Sequence, residues 1–403
     1  MMPRGFFNPM KLPTTTYRFR AATSAIGGLI VAFGLTSFVC QAEVSFQSLR
    51  EVWLNSPFPA QVIGNLAFGS GDLEKARFHF NESIAITEYR IANDPDNLVW
   101  LSHFSSGYNM LGEISKKEKK YDEALRWYQM NAATLLKYSR KDPSNEWIQI
   151  NLASCYYKIA DMDTLTGKLN EASVFYHKGL KIFEVLHAAK PESWVRMTGV
   201  GIGNERLGGY ALSLKKLEEA LKFLTTSVAI REKIILLLPD VARERKYLAY
   251  SRYMLALVLM EKGDLDGALT ECGRAILIQN TLLAKLPDEE SLNKQQQSSY
   301  ELLGDLAERQ HSTRLAIESY TKSAMIGHNL LCAKPDDARI RGDLCRLHGK
   351  LARIYIGHND KVSAIKHLET IRSMFLRLKK CGIALSPHEQ EVLQKTEDML
   401  RKN

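Results

Sequence analysis

Apolar residues recur along most of the chain with the three-and-four spacing that places side chains on one face of a helix. In residues 120–140, for example, Ala124, Tyr128 and Leu135 fall on one such face. A similar segment at 97–115 precedes it, and nowhere does the sequence sustain the two-residue alternation typical of a strand. The pattern predicts an all-α fold built from pairs of helices.

The helix pairs recur with a constant 48-residue period, which is the interval from Ala76 to Ala124. Seven alanines keep this interval, a proline follows each of the first six at a constant distance, and a glycine or alanine precedes each at another constant distance. The alanines are Ala76, Ala124, Ala172, Ala220, Ala268, Ala316 and Ala364; the prolines are Pro95, Pro143, Pro191, Pro239, Pro287 and Pro335; the small residues are Gly64, Gly112, Ala160, Gly208, Ala256, Gly304 and Ala352. Proline ends one helix and permits the next to begin. The sequence therefore predicts seven helix–turn–helix repeats within residues 43–385.

The turn inside each repeat has its own column, five positions before each alanine. It holds Gly71, Lys119, Gly167, Lys215, Gly263, His311 and Asn359. Glycine and asparagine suit the left-handed conformation that ends many helices. We expect the lysine and histidine repeats to end their first helix in another way.

The N-terminal region is predicted to meet a membrane. Residues 21–42 carry no charge, and the leader at 1–20 carries four basic residues and no acidic one. The length of the leader and of the apolar run favours a transmembrane segment, and a cleaved signal peptide is the alternative. Because the basic residues only precede the segment, either interpretation places the rest of the chain outside the cytoplasm, in the periplasm. We therefore expect a single-pass membrane protein or, alternatively, a secreted periplasmic one.

Both ends of the repeat array are predicted to be irregular. Pro57 and Pro59 are expected to interrupt the first helix of the first repeat, leaving segments at 46–55 and 60–68. At the other end, the sequence from Ser386 to Glu389 has a capping serine, a proline at the first helical position and a glutamate three positions after the serine. It predicts a C-terminal capping helix within 386–403.

Charge and motifs exclude several classes of function. The formal net charge of +9 falls to +5 once residues 1–42 are set aside, which is too mild to indicate nucleic-acid binding. The six cysteines include no C-x-x-C pair, and no spaced set of histidine and cysteine residues indicates a metal. No catalytic or cofactor-binding motif is present either. We therefore predict that the protein is not an enzyme and binds no cofactor.

The repeat resembles the tetratricopeptide repeat. The family pattern of Leu-Gly in the first helix, alanine and an aromatic residue in the second, and a terminal proline is matched by Leu111-Gly112, Ala124, Tyr128 and Pro143. The resemblance covers about 45–385. It departs in length, since the family repeat has about 34 residues, and the excess divides into about seven residues, or two helical turns, for each helix. The resemblance implies an α-solenoid.

The resemblance also implies a site, because the first helices of such repeats line a groove that binds proteins or peptides. Family ligand contacts come from positions three before, one after and four after the small column. In this sequence they include Asn109, Glu113, Tyr157, Asp161, Glu205, Tyr253, Glu301, Asp305 and Glu308. Six carboxylates and two tyrosines are expected to attract a basic peptide, and an ordinary solvated face is the alternative.

The expected function is thus that of a non-enzymatic scaffold, outside the cytoplasm, which binds protein or peptide in its groove. The alternative is the sensing or accessory subunit of an envelope enzyme or signalling complex.

Overall fold

The computed structural model describes residues 57–402, which form fifteen helices and no strand. The helices are α1 (Pro57–Ser70), α2 (Leu73–Asn93), α3 (Leu98–Lys117), α4 (Tyr121–Lys141), α5 (Glu146–Leu165), α6 (Leu169–Ala189), α7 (Trp194–Ser213), α8 (Leu217–Leu237), α9 (Ala242–Lys262), α10 (Leu265–Leu283), α11 (Glu290–Arg309), α12 (Thr313–Ala333), α13 (Ala338–Gly357), α14 (Lys361–Lys380) and α15 (Pro387–Lys402). The predicted all-α fold is confirmed for this part of the chain. The helices predicted at 97–115 and 120–140 are α3 and α4.

The predicted leader at 1–20 and membrane segment at 21–42 lie outside the described residues. Within residues 57–402, none of the helices combines the length and the apolar composition that a membrane span requires.

The helices belong to two compact units, one ending at Ile114 and the other beginning at Ser115. In the first unit α1 packs against α2, and the side chain of Gln61 on α1 donates a hydrogen bond of 2.7 Å to the carbonyl of His103 on α3. In the second unit each helix from α4 to α15 packs against the next one in the chain. We call the odd-numbered helices from α1 to α13 the leading helices and the even-numbered ones the trailing helices.

The alanine and small-residue columns form the core of each repeat. All seven alanines of the 48-residue column are fully buried. A Cβ atom added to Gly208 would lie 2.5 Å from Leu224, and one added to Gly304 would overlap the ring of Tyr320. Leu224 and Tyr320 occupy equivalent positions on the trailing helices of these two repeats. The small column is therefore needed because a bulky trailing-helix side chain fills the space beside it.

The turn column corrects the sequence-based expectation. All seven residues have positive φ, from 56° at Lys215 to 86° at Gly71, so the lysine and histidine repeats end their leading helices as the others do. The amide of Lys215 donates to the carbonyl of Leu212 at 2.9 Å, and the amide of Lys216 donates to that of Ala211 at 2.9 Å. This pair of bonds satisfies two carbonyls at the helix end. It offsets the roughly 1–2 kcal/mol that the left-handed conformation costs a residue other than glycine.

The end helices complete the array. The prediction that Pro57 and Pro59 break the first helix was wrong for the described residues, because both lie in the first turn of α1, where their missing N–H groups cost no helical hydrogen bond. Segment 46–55 lies outside the described residues. At the other end, the amide of Ser386 donates to Glu389 at 2.9 Å and the amide of Glu389 donates to the Ser386 hydroxyl at 3.3 Å. This reciprocal pair caps the N-terminus of α15.

Candidate functional site

All nine predicted site residues lie on leading helices, but they do not share one open surface. Asn109 and Glu113 are half-buried on α3, in the first unit. In the second unit Tyr157 and Glu205 are buried, with 6% and 4% of their surface exposed. The remaining five residues, Asp161, Tyr253, Glu301, Asp305 and Glu308, are half-buried.

Tyr157 belongs to the core and not to a binding surface. Its hydroxyl donates a hydrogen bond of 3.0 Å to the carbonyl of Gly199, and its ring stacks on Phe183 at 5.7 Å between centroids. Gly179 and Gly203 leave the space that the ring occupies, since a Cβ atom at either position would overlap it. Burial raises the pKa of the phenol well above its usual range. Tyr157 therefore holds neighbouring repeats together.

Glu205 is buried in a network of charged and polar side chains. It accepts hydrogen bonds from the Ser251 hydroxyl at 2.8 Å and from Arg231 at 3.1 Å. Arg231 is fully buried and also donates to Glu244 at 3.3 Å, and its guanidinium lies 4.8 Å from the centre of the Tyr247 ring. The expectation that Glu205 meets a ligand is therefore corrected. Its carboxylate is already occupied by cations and donors of this chain.

The half-buried carboxylates are matched by cations one repeat later. The partner stands 45 residues after the acid in each case, on the next leading helix. The pairs are Asp161 with Arg206 at 2.9 Å, Glu301 with Arg346, Asp305 with Lys350, and Glu308 with Arg353 at 2.8 Å; Lys350 also contacts Glu301 at 2.9 Å. An opposite charge at this distance cancels most of the field of a carboxylate. The acidic line thus joins successive repeats and gives little net attraction for a basic peptide.

A pocket opens on the leading-helix face between α9, α11 and α13, and we call it the groove pocket. Its volume is about 380 Å³. It is lined by Tyr253 and Leu257 on α9, by Lys294, Gln297, Ser298, Glu301, Leu302 and Asp305 on α11, and by Arg339, Ile340, Asp343 and Arg346 on α13. Three of the nine predicted residues, Tyr253, Glu301 and Asp305, are among them.

The groove pocket combines an apolar floor with a rim that carries both signs of charge. Leu302 and Ile340 are buried in the floor. Burial is the main cause that raises the pKa of Tyr253 to about 12, and burial also raises the pKa of Asp343. At the rim, Lys294 pairs with Glu290 at 2.8 Å. Hydrogen bonds from Lys294 and Lys334 lower the pKa of Glu290 to about 2.

Sequence reasoning missed the α13 side of this pocket and the first part of the α11 side. The family positions cover only the stretch around the small column, whereas Lys294 and Arg339 lie in the first turns of α11 and α13, well before that column. A polar stripe at Lys294, Gln297 and Ser298 has helical spacing and was a usable signal. No group of three or more His, Cys, Asp or Glu residues within 57–402 is placed to hold a metal ion.

Comparison with known proteins supports the fold. BtubC from P. vanneervenii is 16% identical, with a TM-score of 0.50 over 64% of this chain and 92% of that protein. A putative kinesin light chain with nearly identical TPR-like repeats from Podosopora anserina is 17% identical, with a TM-score of 0.41 over 58% of this chain and 97% of the other. A tetratricopeptide repeat protein from Parabacteroides merdae is 16% identical, with a TM-score of 0.38 over 85% of this chain and 98% of that one.

No family model matches the sequence, and no curated protein matches it. The resemblance to tetratricopeptide repeats is confirmed as a likeness of fold, and the described residues form a TPR-like α-helical array.

Proposed function

We propose that this chain is a non-enzymatic scaffold that binds a segment of another protein in the groove pocket. The observation that carries the proposal is the pocket itself, a space of about 380 Å³ bounded by three successive leading helices. The leading helices are held in register by ion pairs between neighbours, such as Glu308 with Arg353 at 2.8 Å. A rigid row of helices of this kind presents a preformed surface, which limits the entropy lost on binding.

The chemistry of the pocket favours a peptide segment with an apolar anchor. Leu257, Leu302 and Ile340 offer an apolar floor for one or two such side chains. Gln297 and Ser298 supply polar groups that suit peptide amides. The rim has three carboxylates and three cations, so charges on the ligand would set its orientation more than its affinity. This differs from the purely basic ligand that the sequence suggested.

A matched pair of substitutions tests the groove pocket. Ser298 lines it on α11, and its hydroxyl donates to the carbonyl of Lys294, one turn earlier. Thr270 is exposed on the trailing helix α10 and makes the same kind of bond to Asp266. Ser298→Trp is expected to fill the pocket and weaken partner binding at least about tenfold, since blocking a central contact removes roughly 1.4 kcal/mol or more. Thr270→Trp is expected to leave binding unchanged.

Binding is measured by capture of partners from the producing cell onto each purified variant, with affinity for the captured protein determined afterwards by titration. Both variants must show the same melting temperature as the parent. Equal loss of binding in both variants, or no loss in Ser298→Trp, would exclude the groove pocket as the binding site.

We further propose that the repeats lie outside the cytoplasm, tethered by residues 21–42 or released after cleavage there. The support is the basic leader at 1–20, followed by the uncharged run at 21–42. Alkaline phosphatase fused after residue 60 is expected to be active in intact cells, because the enzyme needs an oxidising compartment for its disulfides. An inactive, cytoplasmic fusion would contradict the orientation, and the mass of the membrane-bound product distinguishes a tether from a cleaved signal.

A further inference from the structure

Three histidines form a continuous chain across the last repeats. Nε2 of His328 on α12 lies 3.0 Å from Nε2 of His348 on α13. On the other side of the same ring, Nδ1 of His348 lies 2.9 Å from Nδ1 of His367 on α14. The chain therefore links three successive helices through the two nitrogens of one imidazole.

This arrangement suits neutral rings. A neutral imidazole has one N–H donor and one acceptor nitrogen, so His348 can donate to one neighbour and accept from the other. With all three rings neutral, both contacts are hydrogen bonds. When two adjacent rings are protonated, two N–H groups and two positive charges face each other at about 3 Å.

The surroundings of the chain offer a cation little compensation. His348 is buried, with 6% of its surface exposed, and His328 and His367 are half-buried. The Tyr355 ring stacks on His367, at 5.5 Å between centroids. The titratable or charged groups that act on the three rings are the rings themselves and Lys366, whose charge is also positive. No carboxylate of the described residues acts on them.

We propose that this histidine chain is an acid-sensitive joint, which holds α12, α13 and α14 together while its rings are neutral and loosens them when His348 gains a proton. The same α13 supplies Arg339, Ile340, Asp343 and Arg346 to the groove pocket. Acid therefore disturbs that pocket through α13.

The sign and size of the effect follow from proton linkage. Burial, followed by the charges of His367 and His328, lowers the pKa of His348 to about 4. In an opened or unfolded state the ring has its ordinary pKa of about 6.5. The closed state thus binds fewer protons, so its stability is complete above pH 6.5 and is lost as the pH falls toward 4. Between pH 7.5 and pH 5, His348 alone lowers the ratio of closed to open protein roughly 30-fold.

Hydrogen exchange of the whole chain tests the joint without any ligand. Protection factors of the amides in α13 are compared at pH 7.5 and pH 5, after correction for the intrinsic exchange rates. In the parent protein they are expected to fall roughly 30-fold more than those in α5 and α6. In His348→Gln, whose side chain cannot gain a proton, most of this difference is expected to disappear. His388→Gln, a change at an exposed position of α15, is expected to behave as the parent.

An equal fall in the parent and in His348→Gln overturns the proposal, as does the absence of a fall confined to α12–α14. If His348→Gln does not fold, nuclear magnetic resonance of ring-labelled histidines in the parent protein decides. A His348 midpoint below pH 5 supports the joint, and a midpoint at or above 6.5 overturns it. Neither result depends on whether the groove pocket binds a partner.

Discussion

Arg231→Met is expected to lower the free energy of unfolding by about 3–5 kcal/mol, the range for removing one partner from a buried ion pair. Arg231 is fully buried between α7, α8 and α9 and contacts Glu205, Glu244 and Ser251. Methionine keeps much of the volume but leaves two buried carboxylates without their common cation. The cost is therefore the desolvation of Glu205 and Glu244, more than the loss of the contacts themselves.

Chemical denaturation of the purified protein measures this change. Arg314→Met is the matched control, because the Arg314 side chain is 94% exposed and pairs only with Glu318, one turn further along the helix. The control is expected to change the free energy of unfolding by less than about 0.5 kcal/mol. Adding Glu205→Gln and Glu244→Gln to Arg231→Met is expected to recover part of the loss. A loss below about 1 kcal/mol in Arg231→Met would mean that water reaches the network.

Gly199→Ala is expected to destabilise the protein by about 1–3 kcal/mol, the usual cost of overpacking a core. Gly199 lies inside α7, where alanine would normally be the better residue by roughly 1 kcal/mol. A Cβ atom at this position would overlap the Phe183 ring, which already stacks on Tyr157. The clash is therefore expected to exceed the gain in helix propensity.

Gly201→Ala provides the matched control two positions further along the same helix. A Cβ atom there would meet its nearest neighbour, Ile230, at 3.6 Å, which is an ordinary contact. Thermal and chemical unfolding are expected to show Gly201→Ala stabilised by about 0.5–1 kcal/mol. Opposite signs for the two substitutions would confirm the packing of α6 against α7. The same sign for both would show that α7 does not approach Phe183 as described.

The architecture was predictable from sequence because its main constraints repeat. A single 48-residue period fixes where Ala268 and Ala316 are buried and where Pro239 and Pro287 separate the helices. One feature of the turns was not predictable from residue type. The left-handed conformation at Lys215 depends on two backbone hydrogen bonds at the helix end, and any residue with a backbone N–H can make these.

The site was harder to predict because it depends on the offset between neighbouring repeats. Acids on one leading helix meet bases 45 residues later, and this lag differs from the 48-residue period by almost one turn. Position in the repeat alone therefore suggested open carboxylates at Glu301 and Asp305, where the chain supplies its own cations. Tyr157 was misplaced for a related reason, since glycines of other helices decide whether its ring turns inward.

Crosslinking in intact cells tests the central claim most directly. A photoreactive phenylalanine analogue is introduced at Ser298 in the groove pocket or at Thr270 on the exposed face of α10, and adducts are identified by mass spectrometry. The account predicts one recurring protein adduct from position 298 and none of it from position 270. The same protein captured from position 270 alone, or equally from both positions, would show that binding occurs away from the leading-helix face.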